Sequence, residues 1–243
     1  MRLAIVSDVH GNLPALEAVI AALERERPDL VVHGGDLALG GAHPAEVVDR
    51  VGELGWRGVV GNTDELLWRP DQLAVQLARA PKLGDLLRLL FESQAPATRE
   101  LLGPERLRWL RALPAEQVVE GVLVLHASPG DLWRAPPPDA ADEVLLETYA
   151  GRGAETVVYG HIHRPYVRAL PGLTVANSGS VGMPFDGDPR ASYLLVEDGL
   201  ASVRRVPYDL EREVDALRAR RYPEAEWLAD RLRQGRFIPL PSR

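Results

Sequence analysis

The chain has 243 residues, 46% hydrophobic and 26% charged, with a formal net charge of −7. That length and balance suit one sizeable soluble domain, or a domain with an inserted cap, with ample material for a buried core. Cysteine is absent, which excludes disulfides and thiolate metal sites; no apolar run approaches the ~18 residues of a membrane span, and the acidic balance argues against a dedicated nucleic-acid binder.

The first third alternates strand and helix. Met1-Arg2 leads directly into a strand-like run, Leu3–Ser7, with no signal-peptide pattern, so a cytoplasmic location is expected. Asn12 is placed to cap a helix, Pro14 fits its first turn, and Leu13, Leu16, Ile20 and Leu23 repeat at helical spacing. A strand over 30–33 follows, then a Gly-rich turn, a helix from Pro44 to Leu54 and a short strand at Val59-Val60. This order predicts right-handed crossovers and a largely parallel, buried sheet.

Residues 64–114 break that rhythm. They are rich in Leu and Arg with helical spacing, and they predict a helical cap or flank within a single 1–243 domain. Strand patterns then cover 122–125, 156–159, 166–170, 173–176, 191–196 and 201–206, with Gly172 and Asp198-Gly199 as hairpin turns. Two helices, near 210–220 and 223–234, close the chain within a C-terminal segment spanning 207–243.

Five short polar clusters lie where apolar runs stop. They are Asp8-Val9-His10, Gly35-Asp36, Gly61-Asn62, His126 and Gly160-His161-Ile162-His163. Ligands at the ends of several strands can converge, because the crevice of an open α/β sheet lies beyond the strands' carboxyl ends. Together they offer two carboxylates, one amide and four of the chain's six imidazoles. Mixed N and O donors suit Mn²⁺, Fe, Zn²⁺, Ni²⁺ or Co²⁺ better than Ca²⁺ or Mg²⁺. Seven side chains exceed one tetrahedral zinc site and suit two divalent transition metal ions sharing Asp36. Two ions ~3.5–4 Å apart can activate a bridging water and clamp the oxygens of an in-line phosphoryl displacement.

Asp-x-His, Gly-Asp, Gly-Asn, His and Gly-His-x-His, in this order from Met1 to about Val206, resemble the calcineurin-like metallophosphoesterase superfamily. The run from Asn177 to Gly182 and the stretch from Asp186 to Tyr193 are similar to its small bacterial and archaeal phosphodiesterase branch. The resemblance implies an α/β fold, a four-layer α/β/β/α sandwich of two mixed sheets with a helical cap insertion. It implies that Asp8, His10, Asp36 and His163 hold one ion, and Asp36, Asn62, His126 and His161 the other. Asp36, Asn62 and His126 then carry catalysis, with Asn62, Thr63 and Arg164 toward the substrate.

The implied activity is a phosphodiesterase acting on a small anionic phosphodiester or nucleotide through a metal-bridging hydroxide. A phosphomonoesterase or nucleotide pyrophosphohydrolase on the same site is the nearest rival, and a catalytically silent scaffold is the rival from another class. Many members carry a histidine after Gly-Asn; here Thr63 stands there and cannot act as an acid near neutral pH. Among the other histidines, His33 reads as structural and His43, in a Gly-Gly-Ala-His-Pro turn, as solvated. No membrane partner is expected, and exposed C-terminal helices could build a homodimer.

Overall fold

In the computed structural model, which describes residues 1–241, both faces of the first strand are buried. β1 (Arg2–Val6) turns Leu3 and Ile5 to one core and Ala4 and Val6 to another. Side chains alternate along a pleated strand, so such an apolar run belongs between two layers. β2 (Leu30–His33) and β3 (Arg57–Gly58) continue the sheet in parallel, while β9 (Ala191–Glu197) and β10 (Leu200–Val206) add antiparallel strands, in the order β10-β9-β1-β2-β3.

The second sheet contains β4 (Glu116–Val119), β5 (Val122–Leu125), β6 (Thr156–Tyr159), β7 (Tyr166–Leu170) and β8 (Leu173–Asn177). Its order is β4-β5-β6-β8-β7, with β5, β6 and β8 parallel. Leu3, Ile5 and Val32 meet Val122, Val124 and Val158 between the sheets. Helices α1 (Leu13–Glu26) and α2 (Pro44–Glu53) cover the outer face of the first sheet through Leu16, Val19, Val47 and Val51. Helix α7 (Asp142–Tyr149) covers the second, setting Leu145 and Tyr149 against Leu123 and Val157. The result is an α/β/β/α stack of two mixed sheets. Asn12 caps α1, its side chain accepting from the Ala15 amide at 3.1 Å.

Between β3 and β4 runs a helical segment: α3 (Asn62–Glu65), α4 (Gln72–Arg79), α5 (Gly84–Arg88), a π-helical turn at Leu89–Gln94 and α6 (Ala95–Arg111). Gly103, at φ 70°, breaks α6 before Pro104. Leu66, Leu67, Leu87, Phe91, Leu102 and Leu110 join the core under α1 and α2. At the other end, α8 (Leu210–Ala219) and α9 (Ala225–Gln234) pack Val214, Leu217, Trp227, Leu228 and Leu232 around Met183.

Three details differ from the sequence expectation. The third strand is Arg57–Gly58, one step before the expected valines. Val59 still donates to His33 O (3.1 Å), but Val60 donates to Pro114 O (2.9 Å), which draws the chain out of the sheet. β4 and α7 were not expected. β4 is an edge strand with a polar first half, and α7 shows only the pair Leu145 and Tyr149 as its buried face, too short a pattern to stand out.

Candidate metal centre

The loops leaving β1, β2 and β6 carry most of the candidate ligands, and they do so in an unusual backbone state. Asp8 (φ 56°), His10 (51°), Asp36 (54°), His161 (65°) and His163 (55°) are all left-handed. An L-residue there costs roughly 1–2 kcal/mol, and such strain concentrates at functional sites where surrounding bonds over-determine it. Those bonds are present: Asp8 N–H donates to Gly35 O (3.0 Å), His10 N–H to Asp36 O (2.9 Å) and Gly182 N–H to Asp8 O (3.0 Å). Ser180 Oγ adds a bond to the same Asp8 carbonyl at 2.7 Å.

Two glycines let the loops close. A Cβ on Gly61 would lie 2.0 Å from Asp36 Oδ1, and one on Gly160 would lie 2.3 Å from Asp8 Oδ2. Only a residue without a side chain fits at either place. Asp64, which the sequence reading did not single out, ties the same loops together. Its carboxylate accepts from the amides of Asp36 (2.8 Å), Leu37 (3.0 Å) and Gly61 (3.2 Å). Its place two residues after Asn62, within the first turn of α3, was the only available cue.

All seven candidate side chains meet. His163 Nε2 lies 3.1 Å from Asp8 Oδ1, and His10 Nε2 lies 3.9 Å from the same atom. Asp36 Oδ2 lies 3.7 Å from His10 Nε2 on one side and 3.5 Å from His126 Nε2 on the other. Asn62 Oδ1 faces His126 Nε2 at 2.8 Å and His161 Nδ1 at 2.9 Å. Asp8, His10 and His163 form one donor group, and Asp8, Asp36 and His126 form another.

The donor chemistry fits cations. His10 Nδ1 is hydrogen-bonded to Leu39 O at 2.6 Å, His126 Nδ1 to Gly34 O at 2.8 Å, and His163 Nδ1 to Met183 O. A carbonyl only accepts, so each Nδ1 donates to it, and each Nε2 faces the cluster. The Nε2 atoms of His10 and His163 face each other at 3.1 Å, and His163 Nε2 lies equally close to Asp8 Oδ1. Burial, and then His163, lower His10 to about 3, and burial, then His126, lower His161 likewise, so neither ring gains a proton near neutral pH. Burial first and the Asp8 charge second push Asp36 up to about 7. Two carboxylates repel at one spot, and a bound cation relieves that repulsion.

The cluster forms one wall of a cavity of about 350 Å³, within the range of small-molecule sites. His10, Asp36, Asn62, Thr63, His161 and His163 line it. Thr63 also donates its backbone N–H to Asp36 Oδ1 at 2.8 Å. Arg164, expected toward the substrate, stands elsewhere. It is exposed, its Nε donates to Phe185 O at 3.4 Å, and it borders a neighbouring hollow with Asp186 and Arg236. His43 is not solvated as expected: its ring pairs with buried Glu213 of α8 at 3.0 Å. His33 is buried against Trp109 and Gly58, a structural place. Arg231 of α9 also lines the cavity and was missed. The available cue was an arginine within the apolar helical stripe of Trp227, Leu228 and Leu232.

Residues 1–198 match the calcineurin-like phosphoesterase superfamily domain. An uncharacterised protein of Methanocaldococcus jannaschii is 29% identical over 96% of this chain and 98% of its own length. Phosphodiesterase YfcE of Escherichia coli K12 is 27% identical over 84% of this chain and 91% of its own. Among solved structures, a metallophosphoesterase from Sphaerobacter thermophilus superposes with a TM-score of 0.78 at 28% identity, covering 97% of this chain and all of that one.

Proposed function

The chain belongs to the calcineurin-like phosphoesterase superfamily, and from that premise we propose that this metal-dependent phosphoester hydrolase is a phosphodiesterase working with two divalent transition ions. The observation that carries the reading is the convergence of the His10, His126 and His163 imidazole nitrogens with the carboxylates of Asp8 and Asp36 in one buried cluster. The 27% likeness to a phosphodiesterase along most of both chains favours diesters over monoesters. We read the chain as one catalytic domain, with residues 64–114 as its helical cap and 207–243 as C-terminal helices.

Asp8, His10, Asp36 and His163 would hold one ion, and Asp36, Asn62, His126 and His161 the other. Ions held there supply Lewis acidity at phosphoryl oxygens and an activated water. The chain's own contribution is placement. Carbonyls of Leu39, Gly34 and Met183 keep three imidazoles in the tautomer that presents Nε2. Asp64 and the Thr63 amide fix Asp36 between the two groups. Asn62 turns its carbonyl Oδ1, a neutral oxygen that a cation can take as ligand, toward both His126 and His161. Water adds at phosphorus, one P–O ester bond breaks, and the products are a phosphomonoester and an alcohol. Thr63 brings no acid to that alcohol, so leaving groups that depart unprotonated are favoured.

The test is metal analysis of the purified protein together with rates on an aryl phosphodiester and the matching aryl monoester under Mn²⁺. Faster diester hydrolysis that vanishes with chelation is expected. Faster monoester hydrolysis would move the reading to a phosphomonoesterase, and full activity after metal removal would overturn it.

A further inference from the structure

Arg231 is a buried cation with no ion-pair partner among the described residues. It is 6% exposed, and its Nε has no hydrogen-bond partner among the described residues. Burial is the sole influence on its guanidinium and pulls it down to about 9, so the charge persists at neutral pH. Three rings surround it: the guanidinium carbon lies 4.3 Å from the Trp227 ring centre, 4.7 Å from Phe185 and 5.1 Å from Phe237. Aromatic faces attract a cation but give its N–H donors nothing to bond. Phe185 in turn stacks on candidate ligand His163, with ring centres 4.3 Å apart and planes 17° apart. The stack ties Arg231 to the ligand cluster, and both line the same cavity.

A buried charge without a partner is costly, and the cost is relieved when an anion arrives. Guanidinium is the side chain best matched to phosphoryl oxygens, because its fork donates two parallel hydrogen bonds. Beside Gln76, Arg79, Gln94 and Arg134, part of the remaining wall has the opposite character. Leu83, Leu86, Leu87 and Leu90 of the helical segment, with Leu228 and Met183, give the cavity an apolar lining.

Building on the phosphodiesterase reading, we propose that Arg231 binds the non-bridging oxygens of the substrate's phosphoryl group and that the leucine-lined wall receives an apolar ester group. The substrate class is then a phosphodiester with an aromatic or aliphatic body. Arg231 lies beyond residues 1–198, so this contact comes from the C-terminal helix and not from the part of the chain that matches the family domain.

Calorimetric titration of the metal-loaded protein with inorganic phosphate, methyl phosphate and phenyl phosphate tests both halves without turnover. Arg231→Met keeps an apolar side chain of similar length in the aromatic box, and Arg231→Lys keeps the charge without the fork. Phosphate affinity is expected to fall about tenfold or more in Arg231→Met and by less in Arg231→Lys. The thermal midpoint of Arg231→Met should hold or rise, because an unpaired buried charge is gone. Phenyl phosphate should bind the wild type about tenfold tighter than methyl phosphate.

Wild-type phosphate affinity in Arg231→Met, or no phosphate binding by the wild type, overturns the role of Arg231. A lower midpoint with unchanged affinity identifies the residue as a structural strut and does the same. Equal binding of the methyl and phenyl esters overturns the apolar ester group. Turnover measured alongside separates the two readings. A protein that binds phosphate through Arg231 but hydrolyses no diester sinks the assigned activity alone, whereas full diester hydrolysis with Arg231-independent phosphate binding sinks this proposal alone.

Discussion

The two sides of the cleft are built on opposite terms. The ligand side is loop at strand ends, with five left-handed side-chain-bearing residues and glycines so close to their neighbours that a Cβ on Gly61 or Gly160 would lie 2.0–2.3 Å from a carboxylate oxygen. The opposite side is helix, where Leu83, Leu86 and Leu90 are packed loosely enough to stay partly exposed. On the first side, function depends on backbones approaching closely, and almost no substitution is compatible with that. On the second, function depends on side-chain volume and polarity, which can change without moving the chain. The contrast teaches where chemistry is anchored and where selectivity can drift.

The contrast breaks first, if it breaks, at the ligands. Asp36→Asn or His126→Ala should lower diesterase turnover on the order of 10³-fold or more while the folded state persists. Steady-state rates and a thermal melt measure both, and a rate within tenfold of wild type would contradict the assignment. Gly61→Ala asks the same question of the backbone. Its methyl would sit 2.0 Å from Asp36 Oδ1, and moving a ligand by the roughly 1 Å needed to relieve that contact should reduce turnover by roughly 10²-fold. Unchanged kinetics would show that the loop has slack.

Thr63 lies where the two sides meet. Thr63→His should speed esters of weakly acidic alcohols by ~10-fold or more, with little change on nitrophenyl esters. A leaving-group series reads this directly, and an equal gain across the series would remove the acid role. The smallest effect concerns His33, behind the ligand loops. Neither of its ring nitrogens has a partner among the described residues, and burial pulls its pKa from 6.5 to about 3. Below pH 6.5 the unfolded chain takes up a proton that the folded chain refuses. The His33 contribution to stability is therefore full above that pH and is lost toward pH 3, at no more than about 1.4 kcal/mol per pH unit. His33→Leu should flatten the fall in denaturant midpoint between pH 6.5 and 4.5, and parallel curves for the two proteins would show that His33 is not buried neutral.

Much of the ligand side was legible in the sequence. Asp8, Asp36, His126 and His161 each follow an apolar strand, and strand ends in stacked α/β sheets share one edge, so linear order alone predicted their meeting. His43 and Arg164 were read less well because both readings rested on neighbours in sequence. His43 meets Glu213 from 170 residues away, and Arg164, next to His163, already faces another hollow. Asp64 was passed over because its work is done on backbone amides, which leave no pattern of side-chain types.

The sequence by itself determined the alternation of strand and helix, the parallel core and the choice of seven candidate donors that meet in one cluster, since these depend on local periodicity and on which side chains can bind a cation. Only the tertiary structure decided which imidazole nitrogen turns inward, how closely Gly61 and Gly160 let the loops approach, and that an arginine of the last helix enters the cleft. Those properties come from contacts between residues far apart in the chain, where distance and burial, and not spacing along the sequence, set the energy.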